Sequence, residues 1–193
     1  MLTILNSSKS PVNQAIFRIN SAVCSFFRQA LLSKGFIEIH STKFQESGTE
    51  SGAAVFKVDY FRRPAFLAQS PQLAKQMAIA ADMERVFEIG PVFRAENSNT
   101  HRHLTEFTGL DLEMTIENHY HEVVDLIDEV ILTLFKGLQS EHQAEVCKTL
   151  IMGRLNIHFI FFRLKQSGSS SLMKNSCSSI RLSVSLSKKE SNC

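Results

Sequence analysis

A chain of 193 residues with 44% hydrophobic content holds enough apolar material for one buried core. A charged fraction of 21% is ordinary, and a formal net charge of +2 singles out no class of partner. No run of about eighteen consecutive apolar residues occurs, which excludes a spanning helix, and the opening MLTILNSSKS does not have the make-up of a secretory signal.

The mean charge conceals a split. Residues 147–193 carry eight Lys or Arg against one acidic residue, whereas the first 146 carry thirteen against eighteen. The same C-terminal segment is rich in Ser. This shift predicts a boundary near residue 146, with residues 1–10 as an N-terminal extension, 11–146 as the folded domain and 147–193 as a basic tail. Residues 166–193 are too polar to bury a face and are expected to lack fixed structure. The preceding LNIHFIFFRL (155–164) differs, and can form a strand or a sticky segment. Cys24, Cys147, Cys177 and Cys193 show no CxxC spacing, so free thiols in a reducing compartment are expected.

In chain order, Ser10 and Pro11 open a helix. Its apolar positions, Val12, Ile16, Ile19, Val23, Phe26, Phe27, Ala30 and Leu31, recur at three and four residues. Gly35 stops it. FIEIH (36–40) reads as a strand, and STKFQESGTESG as a polar loop. AVFKVDYF and AFLAQS read as strands around a turn at RRP. PQLAKQMAIAA reads as a short helix begun by Pro71. RVFEIGPVFRAE and HLTEFTGLDLEMTI read as long strands, and a second amphipathic helix runs from His119 to about Ala144. Short connections between neighbouring strands favour an antiparallel sheet flanked by helices, an α+β fold. No GxGxxG or P-loop string is present.

The connection between the two long strands, FRAENSNTHRHLTEF (93–107), is too long and too cationic for an ordinary hairpin turn. Arg94 and Arg102 are placed to clamp a polyphosphate, because a guanidinium meets phosphate in a planar fork. Phe107 offers a ring on which a base can stack, and Glu96 an acceptor for an exocyclic amine. The competing reading is a solvated hairpin whose arginines pair with Glu96 and Glu106. His101 with His103, or His119 with His121, form pairs with no third ligand at zinc-like spacing, so no protein-bound metal is expected. Asp111 and Glu113 share a strand face and are candidates to approach a Mg2+ ion, or else face solvent.

The whole string GPVFRAENSNTHRHLTEFTGLDLEM closely resembles motif 2 of the class II aminoacyl-tRNA synthetases, in the version of the aspartate, asparagine and lysine subgroup. The resemblance runs from about Pro11 to about Ala144. NQAIFRINSAVCSFFRQALLSKGFIEIHSTK is similar to the motif 1 helix and strand that form the dimer interface in that family. TESGAAVFKVDYF and AFLAQSPQLAKQM are similar to its amino-acid-binding segments. The eukaryotic cytosolic aspartate-specific members are the most similar.

The resemblance implies a site. Glu50 matches a loop residue near the substrate ammonium. Gln72 and Lys75 match substrate contacts, with Lys75 on the side-chain carboxylate. Arg94 bridges the substrate carboxylate and the α-phosphate and is the catalytic residue. Ala95, Glu96, Arg102, His103, Leu104 and Phe107 surround ATP. The plain alternative for Lys75 is a solvated lysine on an amphipathic helix. The asparagine relatives lack a Lys at the matching place, so aspartate is the expected substrate and asparagine the runner-up.

The implied reaction is activation of aspartate with ATP and Mg2+ to aspartyl-adenylate, then transfer to tRNA(Asp), in the cytoplasm. A homodimer, or a dimer with a full-length subunit, is implied as well, with no membrane or DNA partner. The chain departs from the pattern in four ways. Thr42 stands where motif 1 carries Pro, no anticodon-binding barrel precedes residue 11, motif 3 with its γ-phosphate Arg is not seen, and the tail matches nothing in the family. These departures raise a second expectation, a synthetase-derived binding or regulatory module without catalysis.

Overall fold

The computed structural model describes residues 9–48, 55–95, 97, 104–151 and 182–183. They form helices α1 (Pro11–Leu32), α2 (Gln72–Ala80), α3 (His121–Glu141) and α4 (Gln143–Ile151). The strands are β1 (Ile37–Glu38), β2 (Phe44–Gln45), β3 (Lys57–Tyr60), β4 (Arg63–Leu67), β5 (Arg85–Phe93), β6 (Glu106–Met114) and β7 (Leu182–Ser183). They divide into two compact units. One holds α1 as far as Ala30 with α3 and α4, and the other runs from Leu31 to His119 and includes β7.

In the helical unit, Pro11 takes the first helical position, where its missing N–H costs no bond. Ala15, Ile19, Ala22, Val23, Phe27 and Ala30 form the buried stripe of α1, and Leu126, Ile127, Val130, Leu134 and Leu138 that of α3. The Phe26 ring lies where a side chain on Gly137 would stand, within 2.8 Å of the position of a Cβ there, and meets His142 edge-on at 6.2 Å. Arg18 reaches Glu145 at 3.3 Å. These contacts join α1 to α3 and α4. The helix α4 crosses the compositional boundary at residue 146, because GluValCysLysThrLeu continues a helical turn whatever its charge balance. Cys24 and Cys147 are free thiols; burial pushes the Cys24 thiol up, against a smaller opposing effect of Arg28. Cys177 and Cys193 lie outside the described residues.

In the strand unit, α1 ends where Phe36 N–H returns to Leu31 O and Gly35 N–H to Leu32 O, with Gly35 at φ 78°. One sheet has the order β1-β5-β6-β7 and a second β2-β4-β3. The ladder of β5 and β6 is antiparallel over nine pairs, from Arg85 opposite Met114 to Phe93 opposite Glu106. The sheet is mixed, however, since β1 joins β5 in parallel.

Local details differ from the sequence expectation. The FIEIH strand shortens to Ile37–Glu38, and the polar loop contributes β2. The turn of the β3–β4 hairpin falls on Phe61 and Arg62, at φ 43° and 69°, so that Arg63 and Pro64 belong to β4. Pro71 caps α2 from outside rather than opening it. Leu182 and Ser183, inside the segment expected to lack structure, pair with Leu110 and Gly109 of β6. The rest of that segment, and LNIHFIFFRL (155–164) before it, lie outside the described residues.

Candidate functional site

Alternation along β5 and β6 places two sets of side chains on opposite faces. One face carries Phe87, Ile89, Leu110 and Leu112. The other carries Val86, Glu88, Gly90 and Val92 opposite Glu113, Asp111, Gly109 and Phe107. Glu88 and Asp111 are each only 2% exposed. A sheet face that buries two carboxylates must supply cations or donors for them, since an unpaired buried charge costs several kcal/mol, roughly.

The helix α2 supplies one. Gln72 and Lys75 stand three residues apart and so share a helix face. Lys75 is fully buried. Its Nζ lies 3.3 Å from Glu113 Oε2, 3.5 Å from Asp111 Oδ1, and donates to Leu112 O at 3.2 Å. Gln72 Nε2 donates to Glu113 Oε2 at 3.2 Å. The solvated-lysine reading therefore fails: this ammonium is enclosed between two strand carboxylates. Asp111 and Glu113, the candidates for a metal, face that ammonium. Two buried acceptors, Gln72 Oε1 and Asp111 Oδ1, accept no hydrogen bond among the described residues. Burial pushes the Asp111 carboxyl above its ordinary value. Lys75 opposes the rise, Glu88 adds to it and Lys43 opposes it.

Further along the same face two residues carry no side chain, and neighbouring side chains fold over them. Gly90 and Gly109 are directly paired. A Cβ on Gly109 would stand 2.8 Å from Asp111 Oδ2 and 2.9 Å from Val92 Cγ2. Beyond the glycines Phe107 carries the Arg94 guanidinium over its ring, 5.5 Å from the centroid. Arg94 N–H continues the ladder to Thr105 O at 2.9 Å, which fixes the base of the long connection. Phe107 and Asp111 are four residues apart on one strand, so the two ends of the face are about 14 Å apart. The geometry is a cation–carboxylate cluster at one end, the paired glycines in the middle, and an arginine and an aromatic ring at the other.

Of the residues expected from the sequence, Gln72 and Lys75 meet at the first end, while Arg94 and Phe107 meet at the second, with Ala95 and Leu104 on the flanking segments. Glu50, Glu96, Arg102 and His103 lie outside the described residues, as does His101. The sequence reading missed Glu88, Ser41 and Lys43. Lys43 Nζ pairs with Glu88 Oε1, and donates to Ser41 Oγ at 3.0 Å; Ser41 N–H donates to Glu88 Oε2 at 3.1 Å. The alternation of β5 was the available signal, as it puts Glu88 on the face of Gly90.

The chain matches the family described as tRNA synthetases class II (D, K and N) over residues 3–191. The chain belongs to the class II tRNA synthetases. It is 61% identical over 136 residues to a protein named cytoplasmic aspartate–tRNA ligase 1 of Dictyostelium discoideum, an alignment that takes in 70% of this chain and 24% of the relative. Among solved structures, an aspartyl-tRNA synthetase of Entamoeba histolytica is 44% identical with a TM-score of 0.62, over 76% of this chain and 26% of the other. An asparaginyl-tRNA synthetase of Pyrococcus horikoshii, complexed with asparaginyl-adenylate, is more distant in sequence at 31%, with a TM-score of 0.67 over 72% of this chain and 32% of the other. This synthetase chain thus spans about a quarter of the length of the curated relative it matches. The α+β class expected from the strand order is that of these class II neighbours.

Proposed function

We propose that the face described above is the aspartate and ATP site of an aspartate–tRNA ligase. The observation that carries the reading is Lys75, a buried cation at the amino-acid end, in a chain 61% identical to a protein named for aspartate. A substrate with two carboxylates and one ammonium needs a cation at its far end and acceptors near its amine. Lys75 supplies the cation. Gln72 Oε1 and Asp111 Oδ1 supply buried acceptors for the ammonium.

Before substrate arrives, Lys75 keeps Asp111 and Glu113 as counterions, which a buried ammonium requires. Glu113 is the more exposed of the two, at 23% of its side chain, and is the partner that the substrate's side-chain carboxylate replaces. The α-carboxylate is then directed toward Arg94. Attack of that carboxylate on the α-phosphorus of ATP expels pyrophosphate and forms the mixed anhydride. Arg94 stabilises the charge that develops on the α-phosphate oxygens, and Phe107 flanks the base. Positioning and charge supply the rate, and no covalent enzyme intermediate is needed.

Glu50, Glu96, Arg102, His103 and Leu104 complete the site in this reading. Mg2+, when bound with ATP, would neutralise part of the phosphate charge. No group of three His, Cys, Asp or Glu side chains that could hold a metal ion converges among the described residues. The reading also implies transfer to tRNA(Asp), a cytoplasmic setting and a dimer. No helix among the described residues is long and apolar enough to cross a membrane.

The test is calorimetric titration of the chain with aspartate and with asparagine. Aspartate should bind more tightly, by an amount about equal to one charge-assisted hydrogen bond, ~1.5–3 kcal/mol. Equal or tighter binding of asparagine would contradict the assignment.

A further inference from the structure

Glu88 is a carboxylate with almost no solvent, on the face that the proposed aspartate site uses, and the mechanism above gives it no role. It stands directly opposite Asp111 in the β5–β6 ladder. Like charges so placed destabilise a sheet, and two buried carboxylates in one site drive one of them to take a proton. The pair persists as two charged groups only if each has a cation beside it.

Asp111 has Lys75. Glu88 has Lys43, whose side chain is 20% exposed. The segment that carries Lys43 is fastened on both sides: Ile39 N–H donates to Phe87 O at 2.8 Å, and Ala68 N–H donates to Lys43 O at 2.9 Å. Ser41 spans the pair, giving its N–H to Glu88 and its hydroxyl oxygen to Lys43. Both carboxylates also lie down over the paired glycines. A Cβ on Gly90 would be 3.0 Å from Glu88 Oε1 and 3.4 Å from Lys43 Nζ, and one on Gly109 would be 2.8 Å from Asp111 Oδ2. The two ion pairs therefore meet over the same paired glycines.

We propose that Lys43 and Glu88 are positioning residues of the Lys75–Asp111 pocket: the Lys43 ammonium neutralises the carboxylate facing Asp111, and so keeps Asp111 ionised and turned to Lys75. Loss of Lys43 leaves Glu88, Asp111 and Glu113 with the Lys75 ammonium as the one cation of this cluster. A protonated Asp111 becomes a donor on one oxygen and weakens as a counterion for Lys75 and as an acceptor for a substrate ammonium. The consequence for substrate rests on the aspartate reading given above; the electrostatic coupling itself does not.

The experiment is a carboxyl NMR titration of Asp111 in the full 193-residue chain, with aspartate calorimetry beside it. Glu88→Gln should lower the pH at which Asp111 titrates, Lys43→Met should raise it, and Lys43→Arg should leave it near the unmutated position. The double variant Lys43→Met, Glu88→Gln should reverse the rise. A strut that merely closed a gap would move none of these. If Lys43→Met does not fold, Glu88→Gln alone decides, and no change or a rise in Asp111 would overturn the proposal. In calorimetry, Lys43→Met should weaken aspartate by about tenfold, within the range of coupling between neighbouring groups, and Lys43→Arg should restore it. Where the unmutated chain binds no aspartate, the substrate reading fails while the titration still decides the role of Lys43 and Glu88.

Discussion

Lys75 Nζ and Asp111 Oδ1 stand 3.5 Å apart with both side chains almost wholly buried. Each is on a separate element, α2 and β6, so the pair ties the short helix to the long ladder. Lys75→Met would leave Asp111 and Glu113 facing each other without a cation. Breaking a buried pair by removing one partner costs about 3–5 kcal/mol. Urea unfolding should show a loss of that size, and the preference for aspartate over asparagine should vanish. A variant as stable as the parent would mean that the ammonium contributes little to the fold.

The raised titration of Asp111 has a definite sign in stability. The folded state holds the Asp111 proton to a higher pH than the unfolded chain, whose carboxyl titrates near 3.8. The contribution of this group is therefore full below about that pH, and is lost as pH rises through the folded value. Asp111→Asn removes this contribution. Relative to the variant, the parent should lose stability as pH climbs above 3.8, a difference read from urea midpoints at successive pH values. Parallel curves for the two proteins would contradict the burial of an ionisable group here.

Gly109 and Gly90 should respond unequally to a methyl group. A Cβ on Gly109 meets Val92 and Asp111 below 3.0 Å, whereas one on Gly90 meets the flexible ends of Glu88 and Lys43 at 3.0–3.5 Å. Gly109→Ala should cost about 1–3 kcal/mol, the range of overpacked sites, and should displace Asp111 from Lys75. Gly90→Ala should cost less. Thermal or urea unfolding of the two variants decides the order.

The β3–β4 turn offers a stabilising change. Phe61 and Arg62 occupy the left-handed region at φ 43° and 69°, where a side chain costs about 1–2 kcal/mol per residue. Phe61 is also 87% exposed, so its ring gains little from burial. The double change Phe61→Asn, Arg62→Gly installs the residues that two-residue hairpins prefer. It should raise the unfolding midpoint. A lower midpoint would show that the edge contact of Phe61 with Tyr60, at 4.8 Å between centroids, outweighs the backbone strain.

What could be read without coordinates follows from range. Gln72 and Lys75 were legible because three residues on one helix share a face, and because their string is similar to a family segment. The long strands β5 and β6 were legible from their apolar runs. The partner of Lys43 was not, since Glu88 lies forty-five positions away and a Glu in a strand is ordinarily read as facing solvent. The hairpin turn was placed on 62–64 instead of on Phe61 and Arg62 because Pro64 suggested a turn, whereas an edge strand tolerates it. The boundary near residue 146 followed charge composition, but α4 continues through it because helix propagation depends on backbone bonding and not on net charge. The expected roles of Glu50, Glu96, Arg102 and His103 lie outside the described residues.

The sequence expectation of a binding or regulatory module makes a separate claim about catalysis. If the γ-phosphate Arg of motif 3 is not supplied by these 193 residues, loss of one preorganised donor costs about 2.7–4 kcal/mol, or two to three powers of ten in rate. Aspartate-dependent ATP–pyrophosphate exchange by the pure chain should then be weak or undetectable, even where aspartate binds. Exchange at a rate matching that of a full-length relative assayed in parallel would refute this expectation.

The central claim is that Lys75 reads the side-chain carboxylate of an amino acid. Calorimetric titration of the unmutated chain and of Lys75→Met, each with aspartate and with asparagine, tests it most directly. The account predicts tighter binding of aspartate by the parent and no preference in the variant. An asparagine affinity equal to or above that of aspartate in the parent, or a preference that survives the loss of Lys75, would contradict it.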